Sequence, residues 1–190
     1  MASRAAAQVA RHLFSVDDYR RMGEAGIFDE GERVELIEGE IIEMSPIGSA
    51  HASRVKRLIQ LLSRRLGHKA IVQVQDPVVL SALSEPQPDV ALLRPRTDFY
   101  AARHPRPADV LLIVEVADRS RVFDRTVKAP LYARAGIREL WIVDLTDEVV
   151  EVYRRPLRGA YREVEQLRRG QRLTIAAFPQ LVLRVADVLG

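Results

Sequence analysis

The sequence has no cysteine among its 190 residues. That excludes a disulfide scaffold, a thiolate zinc site and a cysteine nucleophile. No apolar run approaches the roughly 20 residues that span a bilayer. The opening Met1-Ala2-Ser3-Arg4 leads into alanines, not into a long apolar core, so no signal peptide is expected and the protein is read as cytoplasmic. Lysine is nearly missing: only Lys56, Lys69 and Lys128 among 29 basic residues, which leaves 26 arginines. Aromatic residues make up 6% of the chain, too few for a row of base-stacking platforms. There is no Gly-rich phosphate loop of the P-loop kind, which disfavours nucleoside-triphosphate chemistry. No helix-turn-helix or zinc finger is visible that would read a DNA sequence.

What is present is an ordinary water-soluble composition, 47% apolar and 29% charged. With no repeat and no long linker, residues 1–190 read as a single domain, with residues 1–13 a loosely ordered arm. Arginine holds phosphate through a planar fork, so an arginine-rich surface suits nucleic acid. A biased genome composition enriches arginine as well, and the net charge is only +3, so charge alone decides nothing.

Ser15 followed by Asp18 resembles a helix-capping pair, predicting a short helix over 16–22 that ends near Gly23. Two short apolar runs, 33–37 and 40–44, flank Glu38-Gly39 and read as a β-hairpin. Val55, Leu58, Ile59, Leu62 and Leu66 recur at helical spacing, predicting an amphipathic helix capped by Ser49 and Gly67. Strand candidates follow at 71–75, 78–80 and 90–93. Residues 110–116 form a nearly continuous apolar run, the mark of a strand buried on both faces. A helix over 124–135, a strand over 139–144 and an antiparallel pair over 149–154 and 161–167 complete the pattern. Strands and helices alternate only in the middle, so the fold class is α/β in the α+β sense: a mixed sheet flanked by helices, with an N-terminal β-hairpin.

One carboxylate sits inside the most apolar segment. Glu115 lies between Ile113-Val114 and Val116, where a lone buried charge costs several kcal/mol. It must pair with an arginine, hold a proton or coordinate a cation. The metal reading needs a second carboxylate, and Asp89 offers one at the start of the preceding core strand. Hard oxygen ligands of this kind suit Mg²⁺, with Mn²⁺ as a substitute. Asp124, Lys128 and Tyr132 follow at i, i+4 and i+8 on the next helix. Either Asp124 and Lys128 form a solvated ion pair, or Lys128 supports an attacking water. His51 at the start of the amphipathic helix and Gln75 at a strand end could face the same place. A helix-start histidine and a surface amide are the plain alternatives. Glu85 reads as a loop residue and Trp141 as core.

These segments resemble the Uma-two-type restriction endonuclease family of the PD-(D/E)XK nuclease superfamily, from about Phe14 to Leu189. The likeness is carried in order by Glu35-Leu36-Ile37-Glu38-Gly39-Glu40-Ile41, Met44-Ser45-Pro46 with His51, and Ser84-Glu85-Pro86-Gln87-Pro88-Asp89. It continues in Val114-Glu115-Val116-Ala117-Asp118, in Asp124 with Lys128 and Tyr132, and in residues 136–144.

The resemblance implies a restriction-endonuclease-like core and metal-assisted phosphodiester hydrolysis. Asp89 matches the motif aspartate and Glu115 its second acid, while Glu35 matches an acid from the N-terminal part. Ala117 stands where the motif lysine would be, and Lys128 on the following helix takes its place. Asp89, Glu115, the Val116 carbonyl and Glu35, directly or through water, would hold Mg²⁺. DNA is the implied substrate and a homodimer the implied assembly, so that two sites address two strands. Two other functions stay open: a silent nucleic-acid- or protein-binding module on the same fold, and a hydrolase of smaller phosphate esters.

Overall fold

The computed structural model describes residues 10–118 and 120–190. The first nine residues of the expected arm fall outside that range, and residues 10–13 carry no regular structure. Helix α1 (Val16–Glu24) opens on the expected reciprocal cap. The Ser15 hydroxyl accepts the Asp18 N–H at 3.1 Å, and the Asp18 carboxylate accepts the Ser15 N–H at 3.0 Å. The helix runs one residue past Gly23.

Strands β1 (Val34–Ile37) and β2 (Glu40–Glu43) form the expected hairpin. Its two turn residues, Glu38 and Gly39, have φ of 50° and 83°, the left-handed pair that a two-residue hairpin turn needs. A Cβ on Gly39 would also meet Leu13 Cβ at 2.6 Å, so glycine is required there twice over. Helix α2 (Ser49–Leu66) buries Val55, Leu58, Leu62 and Leu66. Its N-cap is Gly48 without a side-chain hydrogen bond, which corrects the cap expected at Ser49, while Gly67 ends it with φ at 52°.

Strands β3 (Ile71–Val74), β4 (Val90–Leu93), β5 (Val110–Ala117), β6 (Glu139–Asp144), β7 (Val149–Leu157) and β8 (Ala160–Leu167) form one sheet in that order. Only β5 and β6 run parallel; every other pairing is antiparallel. The crossover between β5 and β6 is helical: α3 (Arg121–Phe123), a π turn (Asp124–Lys128) and α4 (Ala129–Arg134) run without a break. One face of the sheet packs Val90, Leu92, Val114 and Val116 under α2 and the C-terminal segment. The other packs Ala91, Ile113, Ala117 and Ile142 under Ala129 and Tyr132. Period-two alternation therefore puts Glu115 on this second face, toward the crossover helix.

Three expectations need correction. Residues 78–80 form no strand, because their N–H groups go to the carbonyls of Pro86, Pro105 and Ser84 in irregular loops. The helix expected over 124–135 starts at 121 and contains the π turn. Pro130 has no N–H to give the Thr126 carbonyl, and Ala129 N–H reaches back to Asp124 instead. Residues 172–189, where no element was expected, form β9 (Arg172–Ile175), β10 (Phe178–Arg184) and α5 (Val185–Leu189), and a register shift between Phe178 and Val182 interrupts the alternation. Among the described residues no helix is long and apolar enough to cross a membrane.

Candidate active site

The site grows from the place where β4 and β5 part. Pro88 cannot donate a hydrogen bond and holds the chain extended into Asp89, just before β4. Beyond the Val90–Val114 pair the ladder passes from backbone to side chains. Asp89 N–H donates to Glu115 Oε2 at 3.3 Å, and Val116 N–H donates to Asp89 Oδ2 at 2.9 Å. Each carboxylate thus holds the other's strand, and both end up side by side.

The crossover helix meets Glu115 from above. Lys128 Nζ lies 3.3 Å from Glu115 Oε1 and 3.3 Å from Glu35 Oε1, and the Tyr132 hydroxyl donates to Glu115 Oε1 at 2.6 Å. Glu35 arrives on β1, whose Leu36 bridges Glu85, and its Oε2 accepts the Gln87 N–H at 3.1 Å. All four side chains are buried. Lys128 and Asp124 are not a solvated pair. The lysine turns to the two glutamates, and buried Asp124 accepts the Ser120 hydroxyl at 2.6 Å. Glu85 is more than a loop residue: it is buried and paired with Arg20 at 2.7 Å, which fastens α1 to the segment that carries Asp89.

His51, at the first turn of α2, places Nε2 2.9 Å from Asp89 Oδ2, and the Gln75 amide reaches Asp89 Oδ1 at 3.3 Å. The structure therefore brings Glu35, His51, Gln75, Asp89, Glu115, Lys128 and Tyr132 to one place. Val116 takes part through its N–H; its carbonyl belongs to the same strand end.

The electrostatics are uneven. Burial pushes the Glu115 carboxyl up to about 8, with Lys128 holding it back and the Asp89 and Asp124 charges adding to the rise. Burial likewise raises Asp124. Burial also opposes charge on Lys128, but Glu115, Glu35 and Asp124 outweigh it and the ammonium form is held above its usual range. For Asp89 burial is again the largest influence, yet the His51 contact and the Val116 N–H outweigh it and leave the carboxyl below its usual value. The hydrogen bond to Asp89 raises His51 in turn.

A cleft of about 530 Å³ opens onto these groups. Among the described residues its lining holds the carboxylates of Glu35, Glu43, Asp89, Glu115, Asp118 and Asp124, against the basic side chains of Arg33, Lys128 and His51. A larger cleft of about 710 Å³, beside α1 and residues 100–107, gathers Arg20, Arg103, Arg106 and His104 but no such carboxylate pair.

Among the described residues no three carboxylate or imidazole groups converge as a ready-made metal centre. Zinc, which takes three or four protein ligands, does not fit. Mg²⁺ is bound through one or two carboxylates, several waters and substrate phosphate, and adjacent Asp89 and Glu115 suit that habit. The surplus of carboxylates over basic side chains among the described lining residues marks the place as short of positive charge.

Sequence reasoning missed Arg33, which stands two residues before Glu35 on the same wall of the cleft. Its signal was the period-two spacing on β1, legible only once Glu35 was known to face inward.

Comparison with known proteins bears on this geometry. The Uma2 family model, described as putative restriction endonuclease, matches residues 16–186. Among solved structures, a putative nuclease belonging to DUF820 from Anabaena variabilis ATCC 29413 superposes with a TM-score of 0.70. It is 15% identical, and the match covers 93% of this chain and 97% of that one, a likeness of fold. No curated protein matches the chain.

Proposed function

Since the chain belongs to the Uma2 family of putative restriction endonucleases, we propose that it is a Mg²⁺-dependent endonuclease hydrolysing phosphodiester bonds in DNA. One observation carries the reading: Asp89, Glu115, Glu35 and Lys128 meet in a single cleft that has more carboxylates than cations. Asp89 and Glu115 would hold the ion with the Val116 carbonyl, and Glu35 would join directly or through water. Mn²⁺ would serve in its place. Bound there, the cation supplies charge neutralisation at the phosphate and activation of a water.

The chain's own groups do the rest. Lys128, fixed by Glu35 and Glu115, points an ammonium group at the place where negative charge develops on the phosphate, and orients the attacking water. Tyr132 fixes the rotamer of Glu115 through its 2.6 Å hydrogen bond. His51 and Gln75 do the same for Asp89. A DNA strand, itself an anion, meets a lining of mostly like charge, so its binding in the cleft depends on the cation. A symmetric dimer would present two such clefts to the two strands.

The test is nicking of supercoiled plasmid by wild type and Asp89→Ala, with Mg²⁺, with Mn²⁺ and with EDTA. Wild type cuts only with metal, and Asp89→Ala cuts below detection while staying folded. Activity surviving in Asp89→Ala would put the site elsewhere. Metal-dependent DNA binding without cleavage by wild type would favour the silent binding module, and hydrolysis confined to small esters would favour the third reading.

A further inference from the structure

We propose that Arg33 is the phosphate anchor of the cleft, a substrate-binding residue that grips a phosphodiester of the bound strand through its non-bridging oxygens. The proposal rests on the reading of the cleft as a phosphodiester site. Among the described residues three basic side chains line that cleft, and two of them are already committed. Lys128 lies between Glu35 and Glu115, and His51 is paired with Asp89. Arg33 is the third, and among the described residues it makes no ion pair and no side-chain hydrogen bond. It is half-buried, yet none of its nitrogens is a buried atom left without a partner. Its guanidinium donors therefore face the water of the cleft.

The hairpin fixes its direction. Arg33 accepts the Met44 N–H at 2.8 Å through its carbonyl, which continues the β1–β2 pairing one step beyond Val34 and Glu43. Alternation along β1 then puts Arg33 on the same wall as Glu35, and the residues opposite, Met44 and Ile42, line the cleft with them. The wall thus places a free guanidinium next to the carboxylate that helps hold Lys128. A planar fork of donors matches two phosphate oxygens, which a hydrated ammonium does not. Most of the other charge in the described lining is negative, and of its basic side chains Arg33 is the one whose donors remain open to a phosphate.

The experiment follows binding of a labelled duplex of about 20 base pairs, with Ca²⁺ present, between about 50 and 200 mM salt. Wild type, Arg33→Gln and Arg33→Lys are compared, and the Mn²⁺-induced rise in melting temperature is recorded for each. Arg33→Gln weakens binding about tenfold and lowers the slope of log Kd against log salt by about 0.9, the share of one phosphate contact. Arg33→Lys keeps the slope and loses part of the affinity, and all three proteins keep the Mn²⁺ response. An unchanged slope in a folded Arg33→Gln would overturn the proposal, as would loss of its Mn²⁺ response, which would make Arg33 a support of the metal site. Failure of wild type to bind the duplex at all would overturn it too. Wild type that binds with the Arg33-dependent slope but does not nick plasmid would sustain this proposal while removing the endonuclease reading.

Discussion

Glu115 and Glu151 sit in one row of one sheet, two strands apart, with only Ile142 between them. Both are about 3% exposed, and each meets a cation from the same π turn, Lys128 for Glu115 and Arg125 for Glu151. Their surroundings differ. Arg125 forks onto Glu151 at 2.9 and 3.1 Å and reaches Asp144 at 2.7 Å; Tyr153 and Gln166 fill the remaining positions on Glu151. Backbone N–H groups of Thr146 and Asp147 complete Asp144. Glu139 is closed in the same way by Arg154, Trp141 and the Ala176 N–H. Around Glu115 the ammonium stands off at 3.3 Å, shared with Glu35, and four further carboxylates line the same cleft. A buried carboxylate is structural where every lone pair is answered by the protein, and open to chemistry where the protein supplies too little positive charge. Residue type and burial do not separate the two cases; the count of donors does.

The sharpest way to break this contrast is to remove each cation. Lys128→Met lowers plasmid cleavage roughly 10²–10³-fold, and Mn²⁺ recovers the stability it loses, because the cleft can draw a cation from solution. Arg125→Met costs about 3–5 kcal/mol in denaturant unfolding by leaving buried charge unpaired, and no metal restores it. Equal metal rescue of both variants would dissolve the distinction.

The pH dependence gives a smaller effect of definite sign. Folded, Glu115 keeps its proton up to about 8; unfolded, it releases it near 4.5. The unfolded chain therefore binds fewer protons between those values, and metal-free stability falls as pH rises across that window, by roughly 1–3 kcal/mol. Glu115→Gln flattens this decline and stabilises the metal-free protein at pH 8, whereas Glu151→Gln destabilises it at every pH. A Glu115→Gln unfolding profile parallel to wild type would show that Glu115 is as fully compensated as Glu151.

The smallest contrast lies in the two tyrosines, each donating a 2.6 Å hydrogen bond to its glutamate. Tyr132→Phe and Tyr153→Phe each cost about 1–2 kcal/mol of stability. Only Tyr132→Phe also slows cleavage, several-fold in kcat with KM unchanged. Equal rates for the two variants would remove Tyr132 from the support of the site.

Much of this molecule is written along the chain. The reciprocal cap at Ser15 and Asp18, the hairpin about Glu38-Gly39, the apolar face of α2 and the buried run of β5 are all local, because each depends on residues within a turn or a strand of one another. The oddity of Glu115 in an apolar strand was local as well. What the sequence could not settle was whether Glu115, Glu139 and Glu151 share one fate, since most of their partners, the cations among them, lie 13 to 37 residues away. The π turn was invisible for the same reason: Pro130 signals a disturbed helix but not that its phase turns Lys128 inward while Arg125 closes onto Glu151. The order of residues determined most of the strands and helices and the acid set in an apolar strand. Only the tertiary structure decided which buried acids were answered by arginine and which were left facing a cleft, because donors are counted in space and not along the chain.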